Sequence, residues 1–291
     1  MKIALVGLGE VGRIYADALR AAGLDLRTCQ ARASLKAAAD AAAAASDADA
    51  DADADDTLGP WLADRDWILT CVTGSHTLEI TRRCLALARP GATLCDLSTA
   101  SPDTKRESAR LAAAASLRYV DVAIMGAVSL AGARTPLLAA GDGAAELARW
   151  MSQAGARVQV IEGGRPGDAV ALKLLRSAFT KGLEALSVEL LVAAERQGLR
   201  AQLFEQLRDI DQTPLQDFLE MLVRTHVVHA GRRAHEVHEA AAELARHGPA
   251  SVVLPGVERR FQQTAAARAE SPPPQAAPDM AQALAWLLSR R

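Results

Sequence analysis

Three glycines, Gly7, Gly9 and Gly12, stand in the spacing G-x-G-x-x-G within the run VGLGEVG, residues 6–12. The first permits a tight turn, the second lets main chain approach a pyrophosphate, and the third lets a helix pack closely on a strand. Together with Leu8, Glu10 and Val11 they form a candidate dinucleotide cradle, because N–H groups at a helix N-terminus favour a diphosphate. A second set of residues suits proton transfer. At ~100° per residue, Lys173, Ser177, Thr180, Glu184 and Ser187 fall on one narrow helical stripe flanked by Arg176 and Lys181. Such a stripe is either a solvated face or the wall of a cleft. A third set, Val72 with Thr73, and Ser98 with Thr99, closes two apolar runs with small polar side chains, which makes these residues candidates for the nicotinamide end of a dinucleotide. His226 with His229, and His235 with His238, form two i,i+3 pairs, but no carboxylate or cysteine completes either set, so no metal is assigned.

These residues need elements to hold them. Ile3-Ala4-Leu5-Val6 is too short for a helix, is bounded by glycine, and reads as a strand buried on both faces. Val11, Ile14, Tyr15, Ala18, Leu19 and Ala22 then recur at helical spacing, and Gly23 is placed to stop that helix. A second strand spans roughly residues 24–30, and an acidic residue at its end would bind the 2′-hydroxyl of NAD. None is there; Arg32 and Ser34 offer partners for a 2′-phosphate instead, which favours NADP over NAD. An Ala/Asp tract at 37–56 predicts a helix running into a solvated acidic loop. Residues 67–72 and 92–99 read as buried strands, and Ser98 is equally suited to cap a helix starting near Pro102. Another strand, 119–124, leads into the small-residue loop Met125-Gly126-Ala127-Val128, and 137–140 and 158–161 complete the strand set. Strands alternating with helices predict a doubly wound α/β domain over residues 1–163.

From residue 164 to 291 the periodicity is helical throughout, which predicts an all-α second domain. Its first helix spans about 166–197, with Leu172, Leu175, Phe179, Leu183, Leu186 and Leu190 on an apolar face. Further helices are expected at about 201–206, 215–225, 230–246 and 279–288, the last joined through the stiff spacer Ser271-Pro272-Pro273-Pro274-Gln275.

Composition narrows the function classes. A chain of 291 residues can form about two domains, and 33 Lys+Arg against 35 Asp+Glu give a net charge of −2, no basis for a nucleic-acid or anionic-membrane partner. No apolar run approaches the ~20 residues of a membrane span, and Met1-Lys2 leads straight into the first strand, so a cytoplasmic protein is expected. Cys29, Cys71, Cys84 and Cys95 lack metal-ligand spacing and read as reduced, buried residues.

The order VGLGEVG, DLSTASP, YVDVAIMGA and GDAVALKLLRSAFTKGLEAL resembles the β-hydroxyacid dehydrogenase superfamily, which includes 6-phosphogluconate and 3-hydroxyisobutyrate dehydrogenases. Its helical half is similar to the branch with a phosphogluconate-dehydrogenase-like C-terminal domain of the DUF1932 type. The resemblance implies a catalytic lysine at Lys173, which also heads the polar stripe, and an Asp-x-Ser-Thr element at Asp96, Ser98 and Thr99 beside nicotinamide and substrate. It also implies substrate contacts from Met125, Gly126 and Ala127, and pairing of two copies through the helical domain; Thr180, on the polar stripe, is placed to orient the lysine or bind the same substrate oxygen. Two positions depart from the pattern: Ser177 replaces an asparagine one turn after the lysine, and Met125-Gly126-Ala127 replaces Ser-Gly-Gly.

The expectation is an NAD(P)-dependent oxidoreductase moving hydride between nicotinamide and a hydroxy or oxo carbon of a small molecule, with Lys173 and Ser177 as catalytic residues. The alternatives are imine reduction on the same architecture, against which Lys173 argues, and a dinucleotide-binding protein without turnover.

Overall fold

The computed structural model describes residues 1–31, 54–55 and 57–290. Arg32, Ser34 and all but Ala54 and Asp55 of the Ala/Asp tract lie outside the described residues. Strands β1 (Lys2–Val6), β2 (Asp25–Cys29), β3 (Ala54–Asp55), β4 (Trp67–Thr70), β5 (Thr93–Asp96), β6 (Arg118–Ile124), β7 (Leu137–Ala140) and β8 (Val158–Val160) form one sheet in the order β3-β2-β1-β4-β5-β6-β7-β8. All neighbours run parallel except β6 and β7. The chain leaves β1 toward β2 on one side and returns to β4 on the other, so the carboxyl ends of β1 and β4 flank the point where such sheets bind ligands. Ala54–Asp55, expected within a loop, instead pair with Thr28–Cys29 at the sheet edge.

Alternation along β1 separates two cores. Ile3 and Leu5 pack with Tyr15, Leu19, Trp67 and Val120, whereas Ala4 and Val6 pack with Ile68, Ile80, Leu94 and Tyr119. A parallel strand buried on both faces has no solvent side, which is why its sequence reads as an unbroken apolar run. The first layer includes α1 (Glu10–Ala21), which ends where Gly23 adopts φ +71°; the second includes α2 (Thr77–Leu87) and α3 (Pro102–Ala114). Ser101, not Ser98, caps α3, its hydroxyl accepting from the Thr104 N–H at 3.1 Å. The cap falls to Ser101 because it immediately precedes the N1 proline, whereas Ser98 is buried and accepts from the Thr77 hydroxyl at 2.6 Å. Short α4 (Val128–Ala131) and α5 (Ala144–Met151) complete this layer set.

The long helix α6 (Asp168–Arg196) begins in the first compact unit, which extends to Ser177, and continues into the second, Ala178–Arg291. The second unit adds α7 (Arg200–Gln206), α8 (Arg208–Asp211), α9 (Leu215–Arg246), α10 (Leu254–Glu270) and α11 (Met280–Leu288). Two expectations are corrected here. The helices expected at 215–225 and 230–246 are one continuous helix, because residues 226–229 contain no breaker and buried Val227, Ala230 and Ala234 carry a single packed face through them. Helix α10, not expected from the sequence, carries Pro255 and Gly256 in its first turn, and their punctuation masks its weak amphipathicity. Asp279 caps α11 in a reciprocal box with Gln282.

Candidate active site

The glycine loop follows from packing constraints. Gly7 lies at φ +103°, and a Cβ there would stand 2.5 Å from the Cys71 carbonyl oxygen, while a Cβ on Gly12 would fall on the carbonyl oxygen of Gly7. A Cβ on Gly9 would meet open space, so this glycine leaves room above the main chain and is not dictated by packing. Gly9 also serves as N-cap of α1 without a side-chain cap, which leaves the first-turn N–H groups available to an anion. Leu8 is buried, Val11 half-buried, and Gly9 and Glu10 exposed, so the loop presents main chain to the outside. An open, uncapped glycine turn at the switch point of the sheet fits a dinucleotide diphosphate.

Beside it, the loops after β4 and β5 touch. A Cβ on Gly74 would stand 2.5 Å from the Thr99 carbonyl oxygen. Val72 is half-buried next to Gly7, and exposed Thr73 meets His76 Nδ1 at 2.7 Å. Thr99 is exposed, and its hydroxyl accepts from Lys173 Nζ at 3.0 Å. The structure thus brings together the loop after β5 and the first turns of α6. Lys173 is half-buried; burial lowers its pKa, as does the neighbouring Lys105 ammonium, while Asp121 pulls it the other way.

Lys105 and Asp121 belong to a cluster that sequence reasoning missed. Asp96 and Asp121 are direct partners in the β5–β6 register, and fully buried Lys105 reaches both: Nζ lies 3.0 Å from Asp96 Oδ2 and 3.3 Å from Asp121 Oδ1, and donates to the Asp96 carbonyl at 2.8 Å. The Tyr119 hydroxyl donates to Asp96 Oδ2 at 2.7 Å, and burial with that carboxylate beside it pushes the phenol well above its ordinary pKa. Asp96 Oδ1 accepts from the Ser98 N–H at 2.8 Å, which shapes the turn leading to Thr99. Asp121 Oδ2 accepts from the Gly167 and Val170 N–H groups at 3.0 and 3.1 Å, capping the start of α6. The signal for the cluster was two aspartates inside apolar strands and a lysine at the 105, 108, 112 spacing of α3's buried face.

The remaining candidates are distributed as follows. Met125 is half-buried, its N–H donating to Pro136 O at 2.8 Å, and Gly126 and Ala127 are exposed. Ser177, half-buried, lies one turn after Lys173 on α6, and Thr180, also half-buried, lies beyond the limit of the first unit. Glu184 pairs with Lys181 at 2.6 Å. His226 Nε2 meets Thr264 Oγ1 at 2.8 Å, and His238 Nδ1 lies 3.3 Å from Glu258 Oε1. Among the described residues no group of three His, Cys, Asp or Glu is arranged to hold a metal ion. The cysteines are free, and burial pushes the Cys71 thiol up to about 12. Among the described residues no helix is long and apolar enough to cross a membrane.

Residues 2–162 match the family model described as the NAD binding domain of 6-phosphogluconate dehydrogenase, and residues 194–264 match a domain of unknown function, DUF1932. A solved structure, conserved protein MTH1747 of unknown function, described as structurally similar to 3-hydroxyacid dehydrogenases, is 27% identical; the match covers 93% of this chain and 99% of that one, with a TM-score of 0.61. An imine reductase variant from Myxococcus stipitatus, solved with NAD+, is 18% identical over 98% of this chain and 99% of its own, with a TM-score of 0.74. An uncharacterised 28.5 kDa protein of Methanothermus fervidus is 24% identical over 67% of this chain and 74% of that protein.

Proposed function

We propose a function from one premise: this chain belongs to the family defined by the NAD binding domain of 6-phosphogluconate dehydrogenase, and is an NAD(P)-dependent oxidoreductase. The finer reading is that it moves hydride between a nicotinamide and a hydroxy or oxo carbon of a small molecule, with Lys173 as general acid and base. The observation that carries it is the half-buried Lys173 ammonium, 3.0 Å from the Thr99 hydroxyl and lowered in pKa by burial and by Lys105. Gly7, Leu8, Gly9, Glu10, Val11 and Gly12 would hold the diphosphate, Val72, Thr73 and Thr99 the nicotinamide end, and Arg32 with Ser34 a 2′-phosphate, which favours NADP. The bound cofactor supplies or accepts the hydride.

The protein handles the proton. As the carbonyl carbon gains hydride, negative charge develops on its oxygen, and Lys173 Nζ–H donates to that oxygen as the C–O π bond breaks, giving the alcohol and a neutral amine that is reprotonated from water. In the reverse direction the neutral amine removes the hydroxyl proton. Thr99 fixes the ammonium by accepting one of its three N–H groups, leaving two for substrate and Ser177. Ser98, Met125, Gly126, Ala127 and Thr180 are the proposed substrate contacts. Exposed Leu175, Leu183 and Val188 on α6, at 67%, 52% and 59%, support a homodimer formed through the helical region.

The test is cofactor oxidation by the purified protein against a panel of carbonyl compounds and cyclic imines, with NADPH and NADH. Turnover of carbonyl compounds that is lost in Lys173→Ala supports the reading. Turnover of imines alone replaces it with imine reduction, and no turnover with either cofactor leaves dinucleotide binding as the function.

A further inference from the structure

The buried charges beneath Lys173 exceed what the hydride chemistry asks for. Lys105, Asp96 and Asp121 are all 0% exposed, and removing three ionised groups from water is costly, so their retention in an otherwise apolar sheet calls for a use. Their bonds point to one. Asp96 shapes the turn that ends in Thr99, through the Ser98 N–H, and Asp121 holds the Gly167 and Val170 N–H groups from which α6 rises to Lys173. Lys105 joins the two carboxylates, so the Thr99 hydroxyl and the Lys173 ammonium are referred to a single buried anchor. We infer that Lys105 and Asp121 are positioning residues for Lys173: Asp121 fixes the helix start that carries it, and Lys105 locks Asp121 to the aspartate that fixes its Thr99 partner.

The inference rests on the reading of Lys173 as the acid–base group and adds an electrostatic consequence. Within the first unit, the charged groups acting on Lys173 are Lys105 from α3, with Asp96 behind it, and Asp121 from β6; the loop after β5 faces it with the Thr99 hydroxyl, and Arg176 flanks it on its own helix. Lys105 disfavours the Lys173 ammonium and Asp121 favours it. Substituting the two should therefore move the titration of Lys173 in opposite directions, which a scaffolding role would not do.

The experiment measures the titration of the Lys173 amine in the full-length protein by pH-dependent trace acetylation and peptide mapping, so it needs no substrate. Lys105→Met raises the titration point, because the like charge is gone and both carboxylates remain. Asp121→Asn lowers it, while the amide oxygen still accepts from Gly167 and Val170. In parallel, kcat on the substrate found by the panel falls about 10–100-fold in each variant, in the range of lost outer-shell orientation, while the cofactor dissociation constant stays within about threefold. Should Lys105→Met not fold, Lys105→Met/Asp121→Asn replaces it, since it keeps one buried carboxylate held by Tyr119 and Ser98; its Lys173 titrates above that of Asp121→Asn. Opposite shifts without a matching shift in the pH profile of kcat uphold the positioning and overturn the catalytic reading of Lys173. Unshifted titration in all variants overturns the positioning, as does a shift in the same direction for both single substitutions.

Discussion

Replacing Lys173 with alanine should separate its proposed catalytic role from its part in stability, because the two effects are expected to differ in size. The side chain is half-buried and donates to an exposed threonine, so on its loss the Thr99 hydroxyl turns to water and Lys173 no longer bears a desolvation penalty. A net hydrogen bond contributes about 0.5–1.5 kcal/mol, and at this half-exposed position the cost to folding should be at the lower end. The effect on the reaction is larger. A positioned general acid contributes about 10²–10⁴-fold, equivalent to roughly 2.7–5.4 kcal/mol of barrier at 1.36 kcal/mol per decade. The variant should therefore melt within a few degrees of the native protein and bind cofactor, followed by nicotinamide fluorescence, nearly unchanged, while kcat falls at least a hundredfold. The pH dependence carries a sign as well. Reduction needs the ammonium, so its rate falls as pH rises through the Lys173 pKa, which lies below the ordinary lysine value of about 10.4. Oxidation needs the neutral amine and rises over the same interval. A variant retaining more than about a tenth of kcat, or a reduction rate flat to the ordinary lysine range, would show that another group moves the proton.

Three further outcomes are expected. Arg32→Ala weakens NADPH binding by roughly 1–3 kcal/mol and leaves NADH almost unchanged, since only the 2′-phosphate loses a partner; equal losses measured by titration calorimetry would reject the assignment. Gly12→Ala drives a methyl group onto the Gly7 carbonyl oxygen, so it should abolish cofactor binding or markedly lower the melting temperature, and a variant with native values for both would mean the loop is not packed as described. Light scattering at micromolar concentration should give a dimer, and Leu183→Glu/Val188→Glu on the exposed face of α6 should give a monomer; a native monomer rejects the interface.

The glycine turn and the strands were legible because their signals are local. A tight turn needs glycine whatever surrounds it, and strands buried on both sides must be apolar throughout. Residue pattern alone offered the pairing of Lys173 with Thr99 as two separate signals, a strand-end hydroxyl and a helical stripe, 74 residues apart, and only the family resemblance set both at one site. The Asp96–Lys105–Asp121 cluster was not legible as a unit, since it depends on the register that sets Asp96 opposite Asp121, and the aspartates within apolar strands and the lysine on α3's buried face do not by themselves say that they meet. Likewise the continuity of α9 through His226 and His229 is set by tertiary packing of Val227 and Ala230, which outweighs the poor helical propensity of the segment.

The two hydrogen bonds from Gly167 and Val170 to Asp121 bear on how this chain can be divided. A fragment cut at the end of the last strand, near residue 163, would keep every strand of the sheet yet lose both donors, leaving Asp121 Oδ2 without its two main-chain partners. A fragment carried to Ser177, where the first compact unit ends, retains them. The separable nucleotide-binding module therefore includes the first turns of the helix that follows it. Recombining this module with a different helical partner would carry Lys173 and its Thr99 contact along with the sheet.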